Sequence, residues 1–398
     1  MGIGDNSEHE RRLLPSPLDP FIPLIVYLLV WVGAFLLGVF LKAEKHGILV
    51  KPYYLMLKTV HFNSWMERLA NKWPKGWRAF YNIGAAMGIG LLVLAIYVMA
   101  RSLFLLIFHP PQASPTYLII PIPGLAIRLD IFPYILIAIA AVLIPHEVAH
   151  GIASVLDRVP IKSSGVFLAV ILPGGFVEID EEDLAKRRSR TKLRVFAAGS
   201  FTNIVSAVLV ILLFASMFQT APSGVLITNL EPGKPAETSG VPQWSIITAI
   251  NGTRIIQPAN LSTILAVAKP GAILSLQLNN GAVYNVKTTS APDNNTRAFL
   301  GINSAPYFAP NIAFLIPPLS FHLFNTLQWT EIILLGVGLV NMLPLFPFDG
   351  DRYFDTILGR LGLKNTKPAR TIASLLSLTL LGSNLVFSYA VFGTVFLR

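Results

Sequence analysis

The sequence predicts a polytopic α-helical membrane protein of about six transmembrane helices, with a small α+β extracytoplasmic domain and a short membrane-associated β-hairpin. Three observations lead to this fold class. The 398 residues are 53% hydrophobic and only 13% charged, which is too apolar for a soluble chain of this length. Several apolar runs reach the roughly 20 residues that a helix needs to cross a bilayer. Between residues 222 and 304, short alternating segments rich in Gly, Pro and Asn replace these runs, as is typical of a folded domain outside the membrane.

The formal net charge of +10 comes from basic residues that stand next to the apolar runs. This placement is typical of membrane topology and of contact with anionic lipid headgroups, and it does not form the basic stripe of a nucleic-acid surface. Nucleic acid is therefore excluded as a partner. The chain contains no cysteine, so any metal must be held by His, Asp, Glu or Asn side chains.

Six apolar runs are long enough to be transmembrane helices. They lie at residues 21–41, 83–108, 131–156, 195–218, 327–346 and 371–397. The first 20 residues are polar and are expected to form a tail. Basic residues and aromatic rings concentrate between residues 42 and 82, which predicts a loop on the cytoplasmic membrane surface. Later basic stretches at residues 186–194 and 352–370 agree with this topology, which leaves both termini and the 222–304 domain outside the cytoplasm.

Residues 161–180 follow the third run and are too short to cross the membrane as a helix. They are rich in β-branched and aromatic residues and are interrupted by Pro173, Gly174 and Gly175, which predicts a β-hairpin or a re-entrant element. A simple interfacial loop fits this composition equally well. If a strand of the hairpin has a free edge, an extended peptide could pair with it.

The third run contains His146, Glu147 and His150 in the pattern H-E-x-x-H. On a helix the two histidines lie one turn apart on the same face, where both imidazoles can reach one ion and the glutamate stands beside them. Each ionisable side chain inside a membrane helix costs about 2.5–3.5 kcal/mol, so three of them within five residues indicate a metal, water or mutual pairing. A polar core cluster satisfied by its own hydrogen bonds is the simpler alternative.

A third metal ligand is expected near the end of the fifth run. Pro344 and Pro347 interrupt this helix, and Asp349 follows at the cytoplasmic boundary, the depth expected for the two histidines. A catalytic zinc takes three protein ligands and keeps one open position, and Asp349 would complete that set. A plain turn at a helix end is an equally good explanation of this stretch taken alone.

The fourth run contains Gly199 and Asn203, four residues apart. Small residues let membrane helices approach closely, and an asparagine can hydrogen-bond to a neighbouring helix, so packing is the ordinary explanation. A role of Asn203 in the active site is the alternative.

The extracytoplasmic domain resembles a PDZ domain in its middle section. A helix start at Pro235 and Ala236 is followed by an apolar strand that ends in the Asn251-Gly252 turn. Such domains bind extended peptides or chain ends by strand addition, which makes a peptide end a candidate partner.

Together, the H-E-x-x-H motif, Gly199-x-x-x-Asn203, the PDZ-like insertion and Asn341-x-x-Pro344-x-x-x-x-Asp349-Gly350 resemble the site-2 protease family of intramembrane zinc metalloproteases. The resemblance extends over residues 131–220 and 325–355 and implies that the three central helices form the catalytic core. It implies one zinc ion per chain, with three ligands: His146, His150 and Asp349. It also implies that Glu147 is the general base that activates a zinc-bound water, and it associates Asn341 and Asn203 with substrate binding or active-site polarity. The implied activity is hydrolysis of peptide bonds within or near transmembrane segments of membrane-anchored proteins, as in regulated intramembrane proteolysis.

Two other functions compete with this one. The first is a catalytically inactive membrane scaffold that holds proteins through its PDZ-like domain, and the intact ligand set argues against it. The second is an ion or metal transporter, because intramembrane His, Glu and Asp also mark ion paths, but no inverted repeat is visible. No transit peptide or retention signal is evident, so a prokaryotic plasma membrane is the expected location, with the metal site toward its cytoplasmic side.

Overall fold

The computed structural model describes residues 22–124, 126–169, 172–312 and 314–397. The predicted polar tail at residues 1–20 lies outside the described residues. The chain divides into two compact units. One unit runs up to Val208 and resumes at Trp329, and the other comprises Leu209–Gln328.

The segment between the first two predicted spans is folded rather than a loop. Helix α1 (Ile22–Phe40) coincides with the first predicted span. Strands β1 (Ile48–Lys51) and β2 (Tyr54–Thr59) then form an antiparallel hairpin, and helix α2 (His61–Lys72) follows. The expectation that residues 42–82 form a loop is therefore wrong as to secondary structure, and their location on the membrane surface stays a prediction. Local composition did not reveal the hairpin because β2 is stabilised by a strand that lies about one hundred residues further along the chain.

Helix α3 (Pro74–Phe108) begins well before the predicted residue 83, with Pro74 in its first turn, where a missing N–H costs little. Helix α4 (Phe132–Leu156) confirms the third predicted span almost to the residue. Strands β3 (Ile161–Ala169) and β4 (Leu172–Ile179) confirm the predicted hairpin and exclude the interfacial loop.

The two hairpins form one antiparallel sheet in the order β1-β2-β3-β4. Strand β2 pairs with β3, so that Leu57 stands opposite Val166, and β3 pairs with β4, so that Gly165 stands opposite Phe176. The predicted short hairpin is thus half of a four-stranded sheet. Strand β4 is one of its edges.

Helix α5 (Glu181–Lys186) is a short turn whose first-turn N–H at Asp183 is capped by the side chain of Asp180. Helix α6 (Ser189–Met217) contains the fourth predicted span and starts before the predicted residue 195. Basic side chains in its first turns are compatible with a helix, so the basic stretch was not a reliable boundary.

The second unit has the α+β character that its composition predicts. Its elements are β5 (Gly224–Leu230), α7 (Pro235–Thr238), β6 (Ile246–Ile250), β7 (Thr253–Arg254), α8 (Pro258–Val267), β8 (Ile273–Leu278), β9 (Val283–Lys287), β10 (Thr289–Ala291), β11 (Asn294–Phe299) and β12 (Ile302–Tyr307). The main sheet has the order β12-β5-β6-β8-β9, β7 pairs with β6, and β10 and β11 form a separate pair. The predicted turn is present, with φ of 49° at Asn251 and 80° at Gly252. The PDZ-like assignment itself stays a prediction.

The fifth predicted span is displaced in the structure. Helix α9 (Pro317–Val340) starts earlier than residue 327 and ends earlier than residue 346. Helix α10 (Asp349–Arg360) occupies part of the predicted basic loop, and helix α11 (Lys367–Phe392) corresponds to the last predicted span. The proline at the first position of α9 fits a helix start, which is why a segment that looked interrupted is helical.

In the described part of the chain, five helices are long and apolar enough to cross a membrane: α3, α4, α6, α9 and α11. These confirm a helical membrane-type fold. Helix α1 is a shorter apolar helix in its described part, so a total of six spans stays a prediction, as does the orientation of the chain in the membrane.

Candidate metal centre

Two imidazoles and one carboxylate converge at a single point in the first unit. Helix α4 places Nε2 of His146 3.2 Å from Nε2 of His150. Oδ2 of Asp349 lies 3.3 Å from the first of these nitrogens and 3.1 Å from the second. Both histidines are buried. The structure therefore brings together the three residues that the sequence predicted as metal ligands.

Asp349 reaches this point because the chain folds back on itself between α9 and α10. The N–H of Gly350 donates to the carbonyl of Asn341 over 2.7 Å. A Cβ at Gly350 would collide with the backbone of Met342 and Leu343, so only glycine permits this approach. A plain turn at a helix end therefore does not fully explain Asp349 and Gly350. The glycine permits the close backbone approach that brings the Asp349 carboxylate to the histidines.

Gly199 on α6 lies against the side of the two imidazoles that carries their Nε2 atoms. A Cβ at this position would meet Nε2 of His150, as well as Cε1 and Nε2 of His146 at 2.5 Å. The absence of a side chain therefore makes room for the rings. Helix packing was the expected reason for a glycine at position 199. The structure shows a further reason, the close approach of the two histidine rings.

The outer nitrogens of both rings have hydrogen-bond partners on α6. Nδ1 of His150 lies 2.8 Å from the carbonyl oxygen of Val195. A carbonyl can only accept, so Nδ1 carries the proton and Nε2 keeps its lone pair for a metal. Neighbouring Arg194 is buried and donates to Asp157 over 2.6 Å and to Asn82, which fixes the start of α6 beside the end of α4.

Asn203 supports His146 in the same way. Its Nδ2 atom lies 3.1 Å from Nδ1 of His146, while its Oδ1 atom is buried without a hydrogen-bond partner among the described residues. Rotation of the Asn203 carboxamide by half a turn exchanges Oδ1 and Nδ2. Oδ1 then accepts the Nδ1–H of His146, and the lone pair at Nε2 of His146 is left for a metal. Asn203 thus lies against the site and not merely in a helix contact. Asn341 also reaches it, with Nδ2 3.4 Å from Nε2 of His146.

Glu147 is half-buried beside the two histidines, and its Oε2 accepts the N–H of Val177 on β4 over 3.1 Å. This bond joins the helix of the H-E-x-x-H motif to the edge strand of the sheet. This bond was not predictable from the sequence, because a backbone N–H leaves no trace in the pattern of side chains.

Two cavities meet at Glu147. The first, of about 700 Å³, exposes the three converging ligands and is bordered by charged side chains, among them Lys162, Glu178, Glu182 and Arg352. The second, of about 770 Å³, is almost entirely apolar and lies between α4 and strands β2, β3 and β4. A polar compartment and an apolar groove therefore share one carboxylate.

The three donor atoms fit a zinc ion. Ligands held about 2.0–2.1 Å from a tetrahedral ion stand about 3.3 Å apart, and the observed separations are 3.1–3.3 Å. Two imidazoles and one carboxylate are the donor set of catalytic zinc sites that keep an open position. The lone pair at Nε2 of His150, set by the bond from Nδ1 to the carbonyl of Val195, agrees with this assignment.

Apolar helices around a His-Glu-His-Asp cluster define the class of membrane-embedded metallopeptidases. Residues 134–382 match peptidase family M50, the site-2 protease family, and the chain belongs to this family.

Two curated proteins are similar to part of the chain. A membrane-bound transcription factor site-2 protease homolog of Arabidopsis thaliana is 24% identical over 241 residues, which cover 58% of this chain and 45% of the relative. An uncharacterised protein of Methanocaldococcus jannaschii is 28% identical over 226 residues, which cover 56% of each chain. The chain spans about half the length of the curated relatives it matches.

Proposed function

We propose that the protein is a zinc metalloendopeptidase that hydrolyses peptide bonds within or near transmembrane segments of membrane-anchored proteins. The observation that carries the proposal is the convergence of His146, His150 and Asp349 next to Glu147, inside a bundle of apolar helices. Membership of peptidase family M50 supports the chemistry.

The residues have separate tasks in this mechanism. His146, His150 and Asp349 hold the metal. Zinc, when bound, acts as a Lewis acid that acidifies a water molecule and polarises the scissile carbonyl. Glu147 accepts the proton of the water and later gives it to the leaving amine. Because the N–H of Val177 engages Oε2, Oε1 is the oxygen left for the proton.

The two cavities supply the two reactants. Water enters through the polar cavity, which exposes the metal ligands. The apolar segment of a substrate lies in the groove between α4 and the sheet. Both cavities end at Glu147, so the base stands where the two reactants meet.

The edge strand β4 orients the substrate backbone. A helical substrate hides its carbonyls in its own hydrogen bonds, so it must unwind before attack. An unwound segment that pairs with the edge of β4, at positions other than the N–H of Val177 that Glu147 already accepts, regains backbone hydrogen bonds. The bond between Val177 and Glu147 keeps this edge beside the base, so pairing brings a substrate carbonyl next to the metal ligands.

The second unit contributes peptide recognition in this proposal. Its antiparallel sheet and the α7 and α8 helices suit a PDZ-like domain, which would bind the chain end or flank of a membrane-anchored substrate by strand addition. This unit would act outside the cytoplasm and the metal centre toward the cytoplasmic side of the membrane.

The test uses the full chain in detergent and in bilayers, with a membrane-anchored test substrate that has one transmembrane helix. Wild type and Glu147→Gln should both bind one zinc, and only wild type should cleave. Glu331→Gln on α9 makes the same substitution away from the centre and should retain cleavage. Cleavage by Glu147→Gln would refute the assigned base, and a wild type without zinc would refute the metalloprotease. Zinc-dependent ion flux in liposomes without cleavage would favour transport.

A further inference from the structure

Helix α11 contacts the loop that presents Asp349, although it carries none of the metal ligands. The Oγ–H of Ser374 donates to the carbonyl of Pro344 over 3.2 Å, and the same Oγ accepts the N–H of Phe346 over 3.3 Å. One hydroxyl thereby satisfies two backbone groups that the prolines leave without helical partners. This contact fixes the loop on the side that precedes Asp349.

A second contact fixes the side that follows Asp349. Asp351 on α10 is 2% exposed, and Arg370 on α11 contacts both of its carboxylate oxygens, with Nε 3.1 Å from Oδ1 and Nη2 2.5 Å from Oδ2. Nη1 of Arg370 also lies 3.4 Å from Asp355, one turn further along α10. A bidentate pair of this kind holds direction as well as distance.

The contacts made by Ser374 and Arg370 lie on either side of Asp349 and only a few residues from it along the chain. Asp349 is the first residue of α10 and Asp351 the third, so a rotation of α10 that moves one carboxylate also moves the other. The histidines stand on α4, which has no covalent link to α10 nearby. The position of Oδ2 of Asp349 relative to the two imidazoles is therefore set by what holds α10. Arg352 of α10 pairs with the exposed Glu181, whereas Arg370 holds the buried carboxylate of Asp351, two residues from Asp349.

We propose that Arg370 is a positioning residue of the metal centre, which grips Asp351 and Asp355 so that Asp349 stays within reach of His146 and His150. The proposal rests on the proposed zinc site. It gives the last long apolar helix a task in metal binding. Its alternative is a contact that stabilises the fold and leaves the metal centre unaffected.

Zinc affinity separates these two roles. Loss of a residue that hydrogen-bonds directly to a metal ligand typically weakens metal binding 10–100-fold, and Arg370 acts through a neighbour of the ligand, so the low end of this range applies. We expect Arg370→Gln to raise the dissociation constant for zinc about tenfold, as measured by competition with a chelator. Arg370→Lys keeps the charge and loses the bidentate geometry, so it should fall between wild type and Arg370→Gln. Lys367→Gln, one turn earlier on α11, is the matched control and should bind zinc as wild type does.

Thermal unfolding with and without zinc supplies a second readout. A tenfold weaker site loses about 1.4 kcal/mol of the stabilisation that saturating zinc provides, so the difference in Tm between the zinc-bound and chelated forms should shrink in Arg370→Gln. A contact that only stabilises the fold would lower both Tm values equally and leave zinc affinity unchanged, which would overturn the proposal. If Arg370→Gln does not fold, unchanged affinity in Arg370→Lys overturns it. A wild type that binds no zinc overturns the proposed function first.

Discussion

Gly199→Ala should damage the metal centre without touching a metal ligand. The added methyl would lie 2.5 Å from Cε1 and Nε2 of His146, whereas carbon atoms need about 3.5 Å. The two side chains must therefore separate by about 1 Å. The rings cannot turn away freely, because Nδ1 of His150 is bonded to Val195 and Nδ1 of His146 to Asn203.

A misplacement of about 1 Å at a reacting centre costs about 10²-fold in rate, or about 2.7 kcal/mol. We expect Gly199→Ala to lose about a hundredfold in cleavage of the membrane-anchored test substrate, together with a measurable loss of bound zinc. Gly336→Ala on α9 is the matched control, because a Cβ there meets nothing within 4 Å, and it should behave as wild type. Full zinc content and full cleavage in Gly199→Ala would refute the steric reasoning.

Three further predictions concern the support of the centre and the sheet. Asn203→Leu should weaken zinc binding about tenfold. Asn203→Asp keeps an acceptor for the Nδ1–H of His146 and should therefore bind zinc more tightly than the leucine variant. Equal zinc affinities of the two variants would contradict the acceptor role. Gly350→Ala should destabilise the fold by about 1–3 kcal/mol, because its Cβ meets backbone that cannot yield, and an unchanged Tm would show that the loop can relax. The hydrogen bond from Lys58 lowers the pKa of Glu178 from its ordinary value of 4.5, so the carboxylate stabilises the fold above about pH 4.5 and loses this effect as the pH falls through its lowered pKa. The difference in Tm between wild type and Glu178→Gln should therefore vanish in acid, and a difference that grows in acid would reverse the sign of this argument.

The metal ligands were predictable because metal binding depends on particular side chains, which the sequence shows directly. The spacing of His146 and His150 on one helical face needs only the helix period, and α4 provides it. Asp349 could be paired with them through topology and the need for a third ligand. The supports of the centre were less visible, because the carbonyl of Val195 and the N–H of Val177 belong to the backbone. Gly199 and Asn203 stand four residues apart, and that spacing already placed both on one face of α6.

The fold was predictable where an element is local and less so where it depends on distant partners. The long apolar runs predicted the central helices, although basic residues and prolines misplaced their ends, as at α3 and α9. The hairpin of β1 and β2 was missed altogether. Its residues read as a surface loop because basic and aromatic side chains also suit a membrane interface, and its stability comes from pairing with β3.

That pairing has a consequence for biogenesis. Strand β2 is synthesised before α3 and α4, and β3 after them, so two long apolar helices must be synthesised before Leu57 can meet Val166. Until then each hairpin has an unpaired edge that could join a wrong strand. The completed sheet, and with it the groove beside Glu147, therefore forms late, after α4 and both of its histidines have been made. In the proposed function, a nascent chain has no finished substrate groove before that point.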